Sequence, residues 1–303
     1  MRNLKLLLTF LIGFMISACS SDDNKSTVDS SLKITKAINK VYTFYDSNYV
    51  LVENAILTDS VEIVLNNNKV VSYSGLSNMN DVQKTINGNI TYSNNKISQT
   101  ERFENNELST SSEYIYDNSG ELIERKSNEW ESSDQKFYYK KSDFTHTTDT
   151  IFSNHYDSSD GIDYNLISSS KTVLDNNNNR IYYESYGGST IIETYDSNNN
   201  MLSSSIYGGT VYNYTYSNVL NTEALINNNT FGKKIQSMIF GEGSLNVMGI
   251  STNTHVSTSQ EVLSKSTVVE TIANQDNYST KTTLLELSDG NPVRKVITEY
   301  LFE

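Results

Sequence analysis

Between Leu174 and Leu220 the chain repeats itself with a period of 21 residues. Leu174-Asp175, Tyr195-Asp196 and Tyr216-Ser217 stand in step, each followed by polar turn residues. An aliphatic position comes next, at Ile181, Leu202 or, less regularly, Leu220. The runs Ile181-Tyr182-Tyr183-Glu184-Ser185-Tyr186-Gly187-Gly188 and Leu202-Ser203-Ser204-Ser205-Ile206-Tyr207-Gly208-Gly209 align over their whole length. Such a period holds two strands of about seven residues and two turns, which is one hairpin. Hairpins stacked in chain order make an antiparallel meander. The repeat therefore predicts an all-β fold: an antiparallel β-meander of repeated hairpins forming a curved open sheet or a barrel-like body.

Earlier copies are sharper in motif and looser in spacing. Tyr114-Ile115-Tyr116-Asp117-Asn118-Ser119-Gly120-Glu121-Leu122 follows the pattern Tyr-x-Tyr-Asp-x-x-Gly-x-Leu, with degenerate forms at Tyr92 to Ile97 and Phe103 to Leu108. The aspartate of such a unit closes the turn through the backbone, and the glycine supplies positive φ. Over roughly residues 60–220 these units resemble the tyrosine–aspartate (YD) repeats of Rhs-type proteins. They resemble still more the secreted lipoproteins built as YD-like β-meanders, some described as porin-like in fold. The resemblance implies the β-meander alone, because Rhs shells that enclose a toxin are far longer than this chain.

The rest of the body reads the same way. Val61, Ile63 and Leu65 alternate up to Asn66-Asn67-Asn68, and Lys69-Val70-Val71-Ser72-Tyr73 resumes at once, a hairpin about asparagines that tolerate positive φ. Ser288-Asp289-Gly290-Asn291 is a turn leading into a terminal strand. Around residues 221–243 the pattern breaks, which predicts a short irregular or helical insertion, capped at Thr222, lying as a plug or lid against one end or face of the sheet. With a single proline, Pro292, and no glycine-rich linker, residues 31–303 read as one domain. Hydrophobic residues make up only 36% while tyrosines number 21, so tyrosine carries much of the burial with its hydroxyl at a wet edge.

The N-terminus gives an address. Arg2 and Lys5 precede an apolar run from Leu6 to Ile16, too short to span a bilayer comfortably, so residues 1–18 read as a signal peptide. The run ends Ile16-Ser17-Ala18-Cys19, which resembles a bacterial lipobox. That resemblance implies cleavage before Cys19, diacylglycerol on its thiol and a membrane partner held through the N-terminal lipid. Residues 19–30 read as a flexible polar tether. Within it Asp22-Asp23 resembles the acidic signal that exports some lipoproteins to the outer face of the outer membrane, so surface exposure is expected, with the periplasmic face as the alternative. Cys19 is the one cysteine, so no disulfide forms within the chain.

Charge and motifs exclude more than they assign. A net charge of −13 repels nucleic acid, and no such partner is expected. The three histidines, His146, His155 and His255, lack the spacing of a zinc site and read as solvent-facing residues. No nucleophile elbow or phosphate loop occurs, so no catalytic residue, no enzyme activity and no cofactor are expected. Asp157, Asp160 and Asp163 about Gly161 form a weak calcium candidate that a plain turn explains as well, and no metal is assigned. Trp130, Tyr138, Tyr139, Tyr182, Tyr183, Tyr186 and Tyr207 are the candidates for stacking on a glycan or protein ligand, against the alternative of cross-strand packing. The expected role is binding or scaffolding at the cell envelope; the alternative is a carbohydrate-active or other hydrolytic surface lipoprotein. A true outer-membrane barrel would need an outward apolar band, against which the abundant Ser, Asn and Asp residues speak.

Overall fold

The computed structural model describes residues 32–45, 51–79, 82–131, 134–206, 210–239, 246–255, 260–288 and 290–303. The first strands are β1 (Ile34–Tyr45), β2 (Leu51–Asn66), β3 (Lys69–Met79), β4 (Val82–Ser93), β5 (Lys96–Glu104) and β6 (Glu107–Tyr116). Next come β7 (Leu122–Glu131), β8 (Lys136–His146), β9 (Thr150–Ser158), β10 (Asn165–Leu174), β11 (Arg180–Ser185) and β12 (Thr190–Tyr195). β13 (Met201–Ile206) and β14 (Thr210–Leu220) lead into two helices, α1 (Thr222–Phe231) and α2 (Lys233–Ile239). The chain ends in β15 (Asn246–His255), β16 (Gln260–Ala273), β17 (Ser279–Ser288) and β18 (Asn291–Phe302).

Each strand pairs antiparallel with the next in sequence, and β18 pairs with β1, with Ala37 opposite Tyr300 and Val41 opposite Val296. The 18-stranded meander thus closes on itself as an up-and-down barrel. Closure removes the free edges that an open sheet leaves as templates for aggregation. Barrels of about 16–18 strands enclose a lumen wide enough for water unless something fills it.

Two kinds of turn set the register. Asn67-Asn68, Asn94-Asn95 and Asn105-Asn106 all hold both residues at φ between 49° and 67°, the two-residue hairpin turn whose twist matches that of the strands. The second kind recurs at Asp117, Asp175, Asp196 and Asn274. In each, one side-chain oxygen accepts from the backbone N–H groups two and four residues on, at 2.8–3.0 Å. The third residue after it has positive φ: Gly120 at 90°, Asn178 at 59°, Asn199 at 60° and Asn277 at 65°. One glycine and three asparagines therefore do the same geometric task. The Tyr92 and Phe103 units close on two-residue asparagine turns instead, so they do not share this geometry.

The turn also corrects the repeat. Opposite the residue before each aspartate stand Leu122, Arg180 and Met201, five residues after Asp117, Asp175 and Asp196. Ile181 and Leu202 fall one place further, at the ladder irregularity the turn creates, and stay 36% and 45% exposed.

The helices close one end of the lumen. α1 starts at Asn221, whose Oδ1 accepts from Glu223 N and Ala224 N; Thr222 is not the cap, and its hydroxyl donates to Ser279 O instead. Gly232, at φ 77°, ends α1 and lets α2 begin at once. Leu225 and Ile226 of α1 pack with Leu32, Ile34, Ala37, Val61, Ile63, Leu65 and Tyr300. Phe231 and Ile235 pack against Ile97, Tyr114, Leu122, Phe144, Ile151 and Leu174. These partners come from β1, β2 and β18 on one side and from β5 to β10 on the other, so the helices lie across the lumen as a plug. Thr230 Oγ1 accepts from Val70 N at 3.1 Å, and Ser237 Oγ donates to Asn178 O at 2.8 Å, which ties the plug to the wall.

Candidate functional site

The plug identifies the lumenal face of each strand, since side chains alternate across the sheet. On the opposite, outer face, ion pairs join Lys36 to Glu62 at 2.7 Å, Lys126 to Glu124 at 3.0 Å, Lys141 to Asp143 at 3.1 Å and Lys281 to Glu270 at 2.8 Å. Ser72, Ser74, Asn87, Asn89, Asn154 and Ser203 share that face. The apolar layer of this barrel is inside, around the plug, and much of its outer wall is hydrated and charged. Exposed apolar side chains are interspersed there, among them Val64, Leu76, Phe152, Ile192 and Ile272, and a shallow outer groove of about 420 Å³ is lined by Phe44, Val269, Leu285 and Ile297 and rimmed by Glu270, Lys281 and Lys295.

Beyond the plug the lumenal wall turns polar. Glu104 takes Arg102 and Lys84, both at 2.8 Å. Arg180 reaches Glu193 at 2.6 Å, Arg294 reaches Glu286 at 2.9 Å and Lys140 reaches Glu129 at 2.7 Å. Burial pushes the Tyr73 phenol up, and it does the same more strongly to Tyr116 and Tyr214, so these hydroxyls stay protonated donors.

One patch of this wall has a different balance. His155 of β9 lies with Nδ1 2.9 Å from Ser142 Oγ and Nε2 3.2 Å from Ser170 Oγ. Burial, and then the charge of Arg125, hold its imidazole below the usual histidine range, so it is neutral at pH 7. Arg125 donates to Ser112 Oγ at 3.1 Å and lies 5.7 Å from the Tyr114 ring centroid. His155 was expected as a solvent-facing residue, and Arg125 had no place among the candidates. Neither carries a spacing signal, because the strands of a wide barrel are polar on both faces.

The expected aromatic candidates are not gathered. Trp130 and Phe137 form an edge-to-face pair 5.1 Å apart on the outer side of β7 and β8. Tyr139 shares that side and lies beneath Gly161, while Tyr138 points to the opposite face and bonds Asp134. Tyr182 faces outward, with Lys171 5.8 Å from its ring, but Tyr183 faces the lumen against Arg180 at 5.6 Å. Tyr186 stands 75% exposed in a turn. Cross-strand and cation–π packing accounts for most of the set, and no shared platform forms among the described residues. Asp160 caps its loop by accepting from Ile162 N and Asp163 N, and these backbone bonds hold its carboxyl below the usual range. Among the described residues no three His, Cys, Asp or Glu side chains gather as a metal site, and Asp157, Asp160 and Asp163 do not converge. Cys19, Asp22, Asp23 and Tyr207 lie outside the described residues.

No family model matches the chain, and no curated protein matches it. Among solved structures, a porin-like protein from Bacteroides uniformis ATCC 8492 is similar at 12% identity and a TM-score of 0.46, over 89% of this chain and 98% of its own. A TcdB2-TccC3-TEV structure is similar at 8% identity and a TM-score of 0.23, over 90% of this chain, which spans 17% of that one.

Proposed function

We propose that this protein is a lipid-anchored binding barrel of the bacterial cell envelope, held to the outer membrane through Cys19 and taking a polar ligand, a glycan or a protein segment, against its lumenal wall. The observation that carries this reading is the series of ion pairs on the barrel's outer wall, set among the exposed apolar side chains there. Charged pairs stand on the outer wall, where a membrane barrel presents hydrocarbon, and each lysine of these pairs would cost about 2–4 kcal/mol at a bilayer midplane. The wall therefore suits water, and attachment falls to the lipid.

The fold also orients the molecule. Leu32, the first described residue, packs against the plug, and Glu303 N donates to Lys33 O at 2.9 Å, so both ends of the described chain emerge at the plugged end. Cys19 precedes Leu32 by 13 residues. An anchor there tethers the plugged end and turns the opposite rim, and the polar wall behind it, toward the medium.

The test is to mix the purified lipidated protein with fractionated envelope and host polysaccharides and with envelope proteins, then measure both ligand depletion and released reducing ends. Depletion without release supports a binding barrel. Release of reducing ends establishes the hydrolytic alternative.

A further inference from the structure

We infer that the lumenal row Tyr114–Arg125–Ser142–His155 is a binding site for an acidic saccharide, with Arg125 reading its carboxylate. This rests on the lumenal-binding reading above and narrows it to a ligand class. The four residues are successive cross-strand partners on β6, β7, β8 and β9, so they form one straight row on one face of the wall. Three strand spacings make that row about 14 Å long, the span of more than one sugar ring.

The charge balance points to an anion. Four arginines are described, and three already hold a carboxylate: Arg102 with Glu104, Arg180 with Glu193 and Arg294 with Glu286. Among the described residues Arg125 has no carboxylate partner, and its Nε is shut from solvent without an acceptor. A guanidinium presents a planar fork suited to two parallel hydrogen bonds to a carboxylate, so an unpaired one on a lumenal wall is a specific receptor for that group. With His155 neutral, the patch carries one positive charge and matches a monoanion.

The rest of the row supplies hydroxyl chemistry. Ser142 and Ser170 are half-buried, and His155 holds both by its two ring nitrogens, so each serine retains hydrogen-bonding capacity toward a ligand hydroxyl. Tyr114 and Phe144 join the row to the apolar layer packed on Phe231 and Ile235, so the plug forms the floor of the site. A hydroxylated carboxylate such as a uronate meets each of these groups, whereas a simple carboxylate uses Arg125 alone.

The test titrates the full-length lipidated protein in detergent micelles with D-glucuronate, D-glucose and acetate by calorimetry. Proton–carbon spectra of histidine-labelled protein, readable because only three histidines occur, locate the binding. Glucuronate is expected to bind at least tenfold more tightly than glucose or acetate and to shift the His155 ring signals. Arg125→Gln should weaken glucuronate at least tenfold and remove its preference over glucose, and Arg125→Lys, which keeps the charge but not the fork, should also weaken it. Equal affinity for glucuronate in wild type and Arg125→Gln, or silence of the His155 signals on binding, overturns this site. If neutral sugars still bind with His155 silent, the lumenal reading survives without it. No binding of any of the three probes overturns the inference, and the polysaccharide and protein depletion measurement then decides the broader reading.

Discussion

Lys233 Nζ donates to Asn179 Oδ1 at 2.6 Å, joining the start of α2 to a hairpin turn of the repeat. Asn179 in turn donates through Nδ2 to Asp175 Oδ2 at 2.7 Å and to Asn199 Oδ1 at 3.1 Å. One buried ammonium therefore reads two successive repeat turns, and the repeat serves as the seat of the plug as well as the closure of its hairpins.

Lys233→Met should loosen that seat. A hydrogen bond to a charged group contributes about 1.5–3 kcal/mol, and Lys233 is only 5% exposed. Faster amide exchange is expected throughout α1 and α2 with the strand amides unchanged. Uniform acceleration in every strand would show that plug and barrel open together.

The positive-φ positions make a sharper test of the turn. Asn178→Ala and Asn199→Ala should each destabilise by about 1 kcal/mol, since alanine in the left-handed region carries the Cβ penalty without asparagine's local hydrogen bonding. Asn178→Gly and Asn199→Gly should stay within a few tenths of a kcal/mol. Denaturant melts of the four variants check the difference.

Much of this architecture was legible in the chain. The asparagine pair at 67–68 and the Asp117 and Asp196 units announce hairpins through residues that tolerate positive φ, and the break after Leu220 announces the plug. The 21-residue period holds, but the ladder partners are Arg180 and Met201, one place before Ile181 and Leu202, because the left-handed residue adds a place that simple alternation does not count. The lumenal row was not legible at all. Arg125 and Lys126 face opposite sides of β7 and look alike in sequence, and only closure of β18 on β1 makes one side an interior.

Inside and outside should differ in mutational cost. Leu122 is 1% exposed beneath the plug, and Leu122→Ala should destabilise by about 2–5 kcal/mol through lost burial and the cavity left behind. Ile192 is 51% exposed on the outer face, and Ile192→Ala should cost no more than about 0.5 kcal/mol. Equal costs would contradict the assignment of the two faces.

The plug should also respond to pH through Glu223. Burial pushes its carboxyl up to about 8, one oxygen is shut from solvent without a partner, and the Tyr300 phenol packed nearby is raised in the same surroundings. The folded state therefore binds a proton that the unfolded chain has released. Stability from this group is fully present below about pH 4.5 and declines as pH rises through about 8. Glu223→Gln should flatten the melting temperature against pH across that window. An unchanged slope in the variant would assign the dependence to other groups.

We propose that this water-facing barrel is held to the membrane by lipid alone. Phase partition of the full-length protein in Triton X-114 tests it, with wild type compared to Cys19→Ser carrying an exchanged, conventionally cleaved signal peptide. Wild type is expected to enter the detergent phase, while the variant moves entirely to the aqueous phase with its β-sheet circular dichroism intact. A folded variant that remains in the detergent phase would contradict it and place the outer wall in hydrocarbon.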